Sequence, residues 1–139
     1  MQKVLRIKND IHELNALTRF LEEVGDELGL SPGLVMNLNL VLEEAVSNII
    51  FYGYPKELSI ADAVELTFGC ESNVLTICLK DHGVAFDPTQ KADPDLTLSA
   101  EERPIGGLGI FLIKQLMDEV EYRREEGFNL FIMKKKITE

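Results

Sequence analysis

Two consecutive stretches with apolar residues at helical spacing, followed by stretches that alternate, constrain this chain more than any other feature. From Asp10 to Leu28, the residues Ile11, Leu14, Leu17, Leu21, Val24 and Leu28 recur so as to share one helix face. Asp10 stands where an N-cap belongs, Glu13 is its capping-box partner, and Gly29 marks the stop. A second helix is predicted to open at Ser31-Pro32, an N-cap followed by proline at the first helical position. Its stripe holds Leu34, Leu38, Val41, Leu42, Ala45, Val46, Ile49 and Ile50, and Gly53 and Pro55 end it.

Residues 3–8 read as a short first strand. After the helices the period changes to two. Val64, Leu66, Phe68 and Cys70 alternate with polar residues, as do Leu75, Ile77 and Leu79, with a turn near Ser72-Asn73. From Asp87 to Pro104 the chain carries three prolines and several acids with little periodicity, which reads as a functional loop of the lid type. A third helix is predicted from Leu108 to Met117, and a closing hairpin over 119–125 and 128–136 turns at Glu126-Gly127. Helices grouped apart from half-polar strands imply an α+β two-layer sandwich: a mixed, mostly antiparallel sheet with helices on one face. At 139 residues the expectation is a single domain over 1–139.

The formal charge of −10 argues against nucleic acid or an anionic membrane as partner, since both attract basic surfaces. Lys134-Lys135-Lys136 is the one basic block, and it reads as the solvated end of a strand. Cys70 and Cys78 lack the C-x-x-C spacing of redox or zinc sites and read as reduced thiols. His12 falls on the polar side of the first helix. Nothing resembles a signal peptide, and no run approaches the ~18 apolar residues of a membrane span, so a soluble, cytoplasmic protein is expected.

Three segments carry chemistry. Glu44 and Asn48 lie four residues apart, so both project from one face of the second helix within an apolar segment. They read either as a solvated polar stripe or as a carboxylate near a reacting hydroxyl and a carboxamide oxygen on Mg2+. Magnesium takes one or two protein oxygens alongside phosphates and waters, so one Asn suffices. Glu43 points about a hundred degrees away and is the weaker candidate. Asp81 closes the apolar run Leu75–Leu79 and precedes His82-Gly83. It reads either as an ordinary Asp-x-Gly turn or as an acceptor for the exocyclic amine of adenine, with Gly83 letting the backbone pass close to the base. Gly106-Gly107-Leu108-Gly109 sits where the third helix begins. It reads as a flexible helix entry or as amides aimed at phosphates, with the helix dipole in support. An acidic protein without a basic pocket has need of such a field. It is neither a Walker loop, since no Lys follows, nor a dinucleotide fingerprint, since no βαβ unit surrounds it.

Taken in order, these segments resemble the GHKL (Bergerat-fold) ATPase superfamily, and within it the anti-sigma factor serine kinases. Glu44-Ala45-Val46-Ser47-Asn48 is similar to the N box, and Asp81-x-Gly83-x-x-Phe86-Asp87-Pro88 to the first glycine box. Gly106-Gly107-Leu108-Gly109-Ile110, continuing to Leu116-Met117-Asp118, is similar to the second. The resemblance spans nearly the whole chain. It implies ATP and Mg2+ as cofactors, with Asn48 as metal ligand and Glu44 as general base. It further implies that Asp81 holds adenine beside Gly83 and Phe86, and that Gly106, Gly107, Leu108 and Gly109 contact phosphates. Arg19 of the first helix is implied as a partner-contacting residue that supports catalysis. The implied partners are an anti-anti-sigma protein, as serine substrate, and a sigma factor, with a homodimer as the implied assembly.

The sequence departs from the family pattern in places. Tyr52 stands where His is frequent, and Ala85 replaces the second glycine of the first box. The resemblance implies Arg103 and Lys91 as the lid cations near the phosphates. The rival reading is an ATP-binding regulatory module that captures a partner without phosphotransfer.

Overall fold

The computed structural model describes residues 2–88 and 108–137. Apart from Asp87 and Pro88, the expected lid lies outside the described residues, as do Lys91, Arg103, Gly106 and Gly107.

Strand β1 (Gln2–Ile7) leads through a 3₁₀ turn (Ile11–Glu13) into α1 (Leu14–Leu28), and α2 (Pro32–Gly53) follows. The rest is β2 (Val64–Glu71), β3 (Val74–Asp81), α3 (Leu108–Leu116), β4 (Glu119–Glu125) and β5 (Phe128–Lys136). The sequence places the first helix start at Asp10, and the α-helical part begins four residues later. The Asp10 carboxylate accepts from the His12 amide at 3.0 Å, and the Glu13 amide donates to the Asp10 carbonyl at 2.9 Å. These short-range bonds favour a tight turn over a full first α-turn. His12 is exposed, as its position predicts. Gly29 ends α1 at φ 65°, and the Gly29 and Leu30 amides both donate to the Gly25 carbonyl. Ser31 caps α2 by accepting from the Leu34 amide at 3.1 Å.

The sheet runs β1-β2-β3-β5-β4, and every pairing is antiparallel. The parallel component of a mixed sheet is therefore absent among the described strands. Ser72 and Asn73 turn β2 into β3 with φ of 52° and 62°, and Glu126 and Gly127 turn β4 into β5 with 49° and 84°. Two successive positive φ values suit the right-handed twist of a two-residue hairpin. Cys70 lies opposite Leu75 and Cys78 opposite Thr67, so the half-buried thiols are not cross-strand partners and both are free.

Period two puts Val64, Leu66, Phe68, Leu75, Ile77, Leu79, Phe131 and Met133 on one face, all buried. The helices cover that face with Leu17, Phe20, Leu21 and Val24 of α1, Leu38, Leu42, Val46 and Ile50 of α2, and Ile110 and Ile113 of α3. By length and composition α2 is long and apolar enough to cross a membrane, with mean hydropathy 1.4 over its most apolar window. That corrects the sequence expectation that no segment is. Its apolar character has a structural use here, because α2 contacts α1, α3 and the sheet at once.

Phe68 is fully buried and meets Phe20 edge-on, with ring centroids 5.2 Å apart, joining the helix layer to the sheet. Phe68→Ala should lower unfolding free energy by about 3–5 kcal/mol in urea titration, the usual cost of emptying a phenylalanine site.

Candidate functional site

The C-terminal half of α2 crosses the end of β3, and a pocket of about 370 Å³ opens between them. From α2 come Ala45, Asn48, Ile49, Tyr52 and Gly53, and from the end of β3 and its following loop come Leu79, Asp81, Val84, Ala85, Phe86 and Pro88. Ile110 of α3 and Tyr122, Asn129 and Phe131 of the closing hairpin complete it. A second cavity of about 340 Å³ between α1 and α2 contains none of the candidate residues.

Glycine makes the first pocket possible. A Cβ on Gly83 would stand 2.5 Å from the Gly53 carbonyl oxygen and 3.0 Å from its Cα. The end of α2 and the loop after β3 therefore touch backbone to backbone, and the Val84 amide donates to the Gly53 carbonyl at 3.1 Å. Tyr54, buried just beyond α2, fastens the same corner. Its hydroxyl donates to the Ala63 carbonyl at 2.5 Å and accepts from the His82 amide at 2.9 Å. Burial pushes this phenol up to about 12.

Asp81 lies on the core face of β3 and is only 5% exposed. Its Oδ1 accepts from the Gly83 amide at 2.9 Å and from Asn129 Nδ2 at 3.0 Å. Burial raises its pKa above the ordinary carboxylate value. The Asn129 and Gly83 hydrogen bonds, and the nearby Arg124 and His82, oppose the rise. Its second oxygen carries no hydrogen bond among the described residues, and no side-chain oxygen is both fully buried and unpartnered. That oxygen is thus the accessible one in a pocket that Asp81 lines.

The two adjacent glutamates of α2 have different surroundings. Glu43 faces α1: its Oε1 lies 3.3 Å from Asn39 Nδ2 and 3.4 Å from the Thr18 hydroxyl. Glu44 makes no hydrogen bond or ion pair among the described residues, is half-buried, and sits one turn before Asn48 on the same helix face. Asn48 lines the pocket and Glu44 does not. Arg19 stands exposed on α1, outside the lining. Gly83 and Phe86 are brought to Asp81, with Phe86 52% exposed. Leu108 and Gly109 open α3.

Residues 7–135 match the family described as the histidine kinase-like ATPase domain. The chain belongs to this ATPase-domain family. Serine-protein kinase RsbW of Bacillus thuringiensis is 29% identical over 115 residues, covering 80% of this chain and 70% of that protein. RsbW of Bacillus anthracis matches with the same identity and coverage. Among solved structures, one containing the RsbU and RsbW domains of a Mycobacterium tuberculosis protein superposes with a TM-score of 0.71 at 11% identity. That match covers all of this chain and 33% of the other. The Acinetobacter baumannii histidine kinase AdeS gives 0.52 at 17% identity, over 99% of this chain and 68% of that one. These likenesses establish the fold of the ATPase-domain family, helices on one face of an antiparallel sheet.

Sequence reasoning missed Tyr122 and Asn129 in the lining of this pocket, and Arg124, which donates to Asn129 from outside the lining. Asn129 had a readable signal. It falls in phase with Phe131 and Met133, so it is a polar residue at a core position of its strand. Tyr122 and Arg124 carry no such mark, because their role depends on strand register.

Two outcomes follow from this geometry. Gly83→Ala should cost about 1–3 kcal/mol in stability through backbone displacement at Gly53, measured by chemical unfolding. Because the folded-state value of Asp81 is raised, the native state holds its proton more tightly than the unfolded chain. Wild-type protein should therefore lose stability relative to Asp81→Asn as pH rises from about 4, with the loss complete once Asp81 is ionised in the fold. Thermal unfolding of both proteins across that range measures the difference.

Proposed function

We propose that this chain is an ATP-dependent protein serine kinase of the anti-sigma factor type. It binds Mg-ATP in the pocket between α2 and β3, phosphorylates a serine of an anti-anti-sigma partner in the cytoplasm, and sequesters a sigma factor. The observation that carries this reading is the buried Asp81, with one carboxylate oxygen saturated and the other accessible, in the pocket that Asn48 also lines. The RsbW relatives, named as serine-protein kinases, support it.

In this reading the exocyclic amine of adenine donates to the accessible Asp81 oxygen. Tyr52, Val84 and Phe86 are 76%, 66% and 52% exposed yet line one pocket, which suits the covering of a planar base or its ribose. The half-buried Asn48 makes no side-chain hydrogen bond among the described residues, so its carboxamide oxygen is available as a hard donor. No cluster of three or more His, Cys, Asp or Glu that could hold a metal occurs among the described residues. A single neutral oxygen fits Mg2+ that arrives with ATP, where phosphates and water complete the shell. When bound, that ion offsets charge on the transferring phosphoryl group.

Glu44 is the chain's base. Its carboxylate is uncommitted, whereas Glu43 is engaged with α1. It takes the serine proton as the hydroxyl oxygen attacks the γ-phosphorus and the bond to the β,γ-bridging oxygen breaks, leaving ADP. Gly106, Gly107 and Gly109 supply amides to the phosphates in this proposal, and Arg19 meets the partner.

One observation favours a second reading. Glu44 stands outside the pocket lining, as an ATP-binding module without phosphotransfer would allow. Single-turnover transfer to the anti-anti-sigma partner separates the two. Glu44→Gln should retain Mg-ATP affinity and lose roughly 10²–10⁴-fold in transfer rate, and transfer at the wild-type rate would remove Glu44 as base. Asn48→Ala should weaken ATP binding in Mg2+ by at least about tenfold and leave metal-free binding unchanged. Equal affinity in Mg2+ would remove the metal role.

A further inference from the structure

Asn129 is 5% exposed, and all of its hydrogen-bonding capacity is engaged on identifiable partners. Nδ2 donates to Asp81 Oδ1 at 3.0 Å and to the Val84 carbonyl at 2.9 Å. Oδ1 accepts from the Tyr122 hydroxyl at 2.5 Å and from Arg124 Nη1 at 3.1 Å. The amide has one chemically consistent orientation. Its nitrogen end meets a carboxylate and a carbonyl, which only accept, and its oxygen end meets a guanidinium, which only donates. Arg124 Nη1 also donates to the Gly83 carbonyl at 3.0 Å, so the edge strand grips the loop that turns away from Asp81.

Strand register assembles this unit. Asp81 pairs with Asn129 across β3–β5, and Asn129 pairs with Arg124 across β5–β4, so the three occupy one cross-strand row. Because Asn129 is fully used within the protein, it has no group left to read a ligand. Its effect on a ligand must pass through Asp81.

The geometry points to Asn129, oriented by Tyr122 and Arg124, as a positioning residue that sets base selectivity. It holds Asp81 as an acceptor toward the pocket, so a base with an exocyclic amine at that point is taken over one with a carbonyl. This inference rests on the nucleotide reading of the pocket. Two fixed donors on Oδ1 stabilise the carboxylate and fix its plane, leaving the second oxygen to accept from adenine. A buried carboxylate deprived of those donors takes up a proton more readily and then presents an O–H, which suits the carbonyl of guanine.

The test compares Kd for ATP, GTP and inorganic triphosphate, each with Mg2+, for wild type, Tyr122→Phe and Asn129→Leu. Wild type should prefer ATP. Asn129→Leu should lower the ATP-to-GTP preference by roughly tenfold or more and Tyr122→Phe by several-fold, and neither should alter triphosphate affinity. A wild type that binds neither nucleotide overturns the nucleotide reading, and this inference with it, whereas equal affinity for ATP and GTP overturns the selectivity role alone. A wild type that prefers ATP, with variants that keep its ratio or lose all three ligands in parallel, overturns the positioning role alone. Tyr122→Phe removes one hydroxyl from a half-buried ring and carries the test if Asn129→Leu does not fold.

Discussion

Asp81 puts a carboxylate on the core face of the sheet, and the surrounding elements are arranged so that the charge is tolerated. Desolvation there costs more than one hydrogen bond returns, so several donors must converge. The Gly83 amide from the loop and Asn129 from the last strand donate to Asp81, and the charge of Arg124 on the edge strand behind adds a favourable field. The Gly53–Gly83 contact keeps that loop in place, and Tyr54 pins the corner from below. A site with one accessible carboxylate oxygen emerges from satisfying the other.

α2 links this corner to the rest of the molecule. Its buried side holds the sheet core, Glu43 and Asn39 join it to α1, and Asn48 and Tyr52 reach the pocket. One helix therefore fixes both the packing and the distance between the Asp81 end of the pocket and the Glu44–Asn48 face. In the proposed reaction the base of the nucleotide sits at one end and the transferring phosphate at the other. Rigid packing of α2 then supplies positioning, the larger part of what phosphoryl transfer asks of a protein.

Much of this was legible in the sequence where the signal is local. The closing hairpin appears at 119–125 and 128–136 as read, because Glu126-Gly127 can adopt successive positive φ and the flanking residues alternate. The Ser31-Pro32 start of α2 and the Gly29 stop of α1 are likewise written in residues that act on their neighbours. Of the candidates, Asp81, Phe86 and Asn48 come to one pocket, while Gly83 packs beside it against Gly53. What was not legible depends on distant pairing. Asn129 meets Asp81 and Arg124 only once the register across β3, β5 and β4 is set. Nor does any spacing reveal that Asn9 binds the Leu58 carbonyl and the Ile60 amide across the 54–63 connection. The α-helical start after Asp10 was placed early because local side-chain and backbone bonds tighten that turn.

The most direct test of the account is an NMR titration of the labelled protein with a non-hydrolysable ATP analogue and Mg2+, following backbone and side-chain amides. The account predicts the largest shifts at the Gly83 and Val84 amides and the Asn48 and Asn129 carboxamides, with the cavity between α1 and α2 unaffected. Saturable binding whose shifts fall on Thr18, Gly25 and Asn39 instead, or no shifts at Gly83 and Asn129 at saturation, would contradict it.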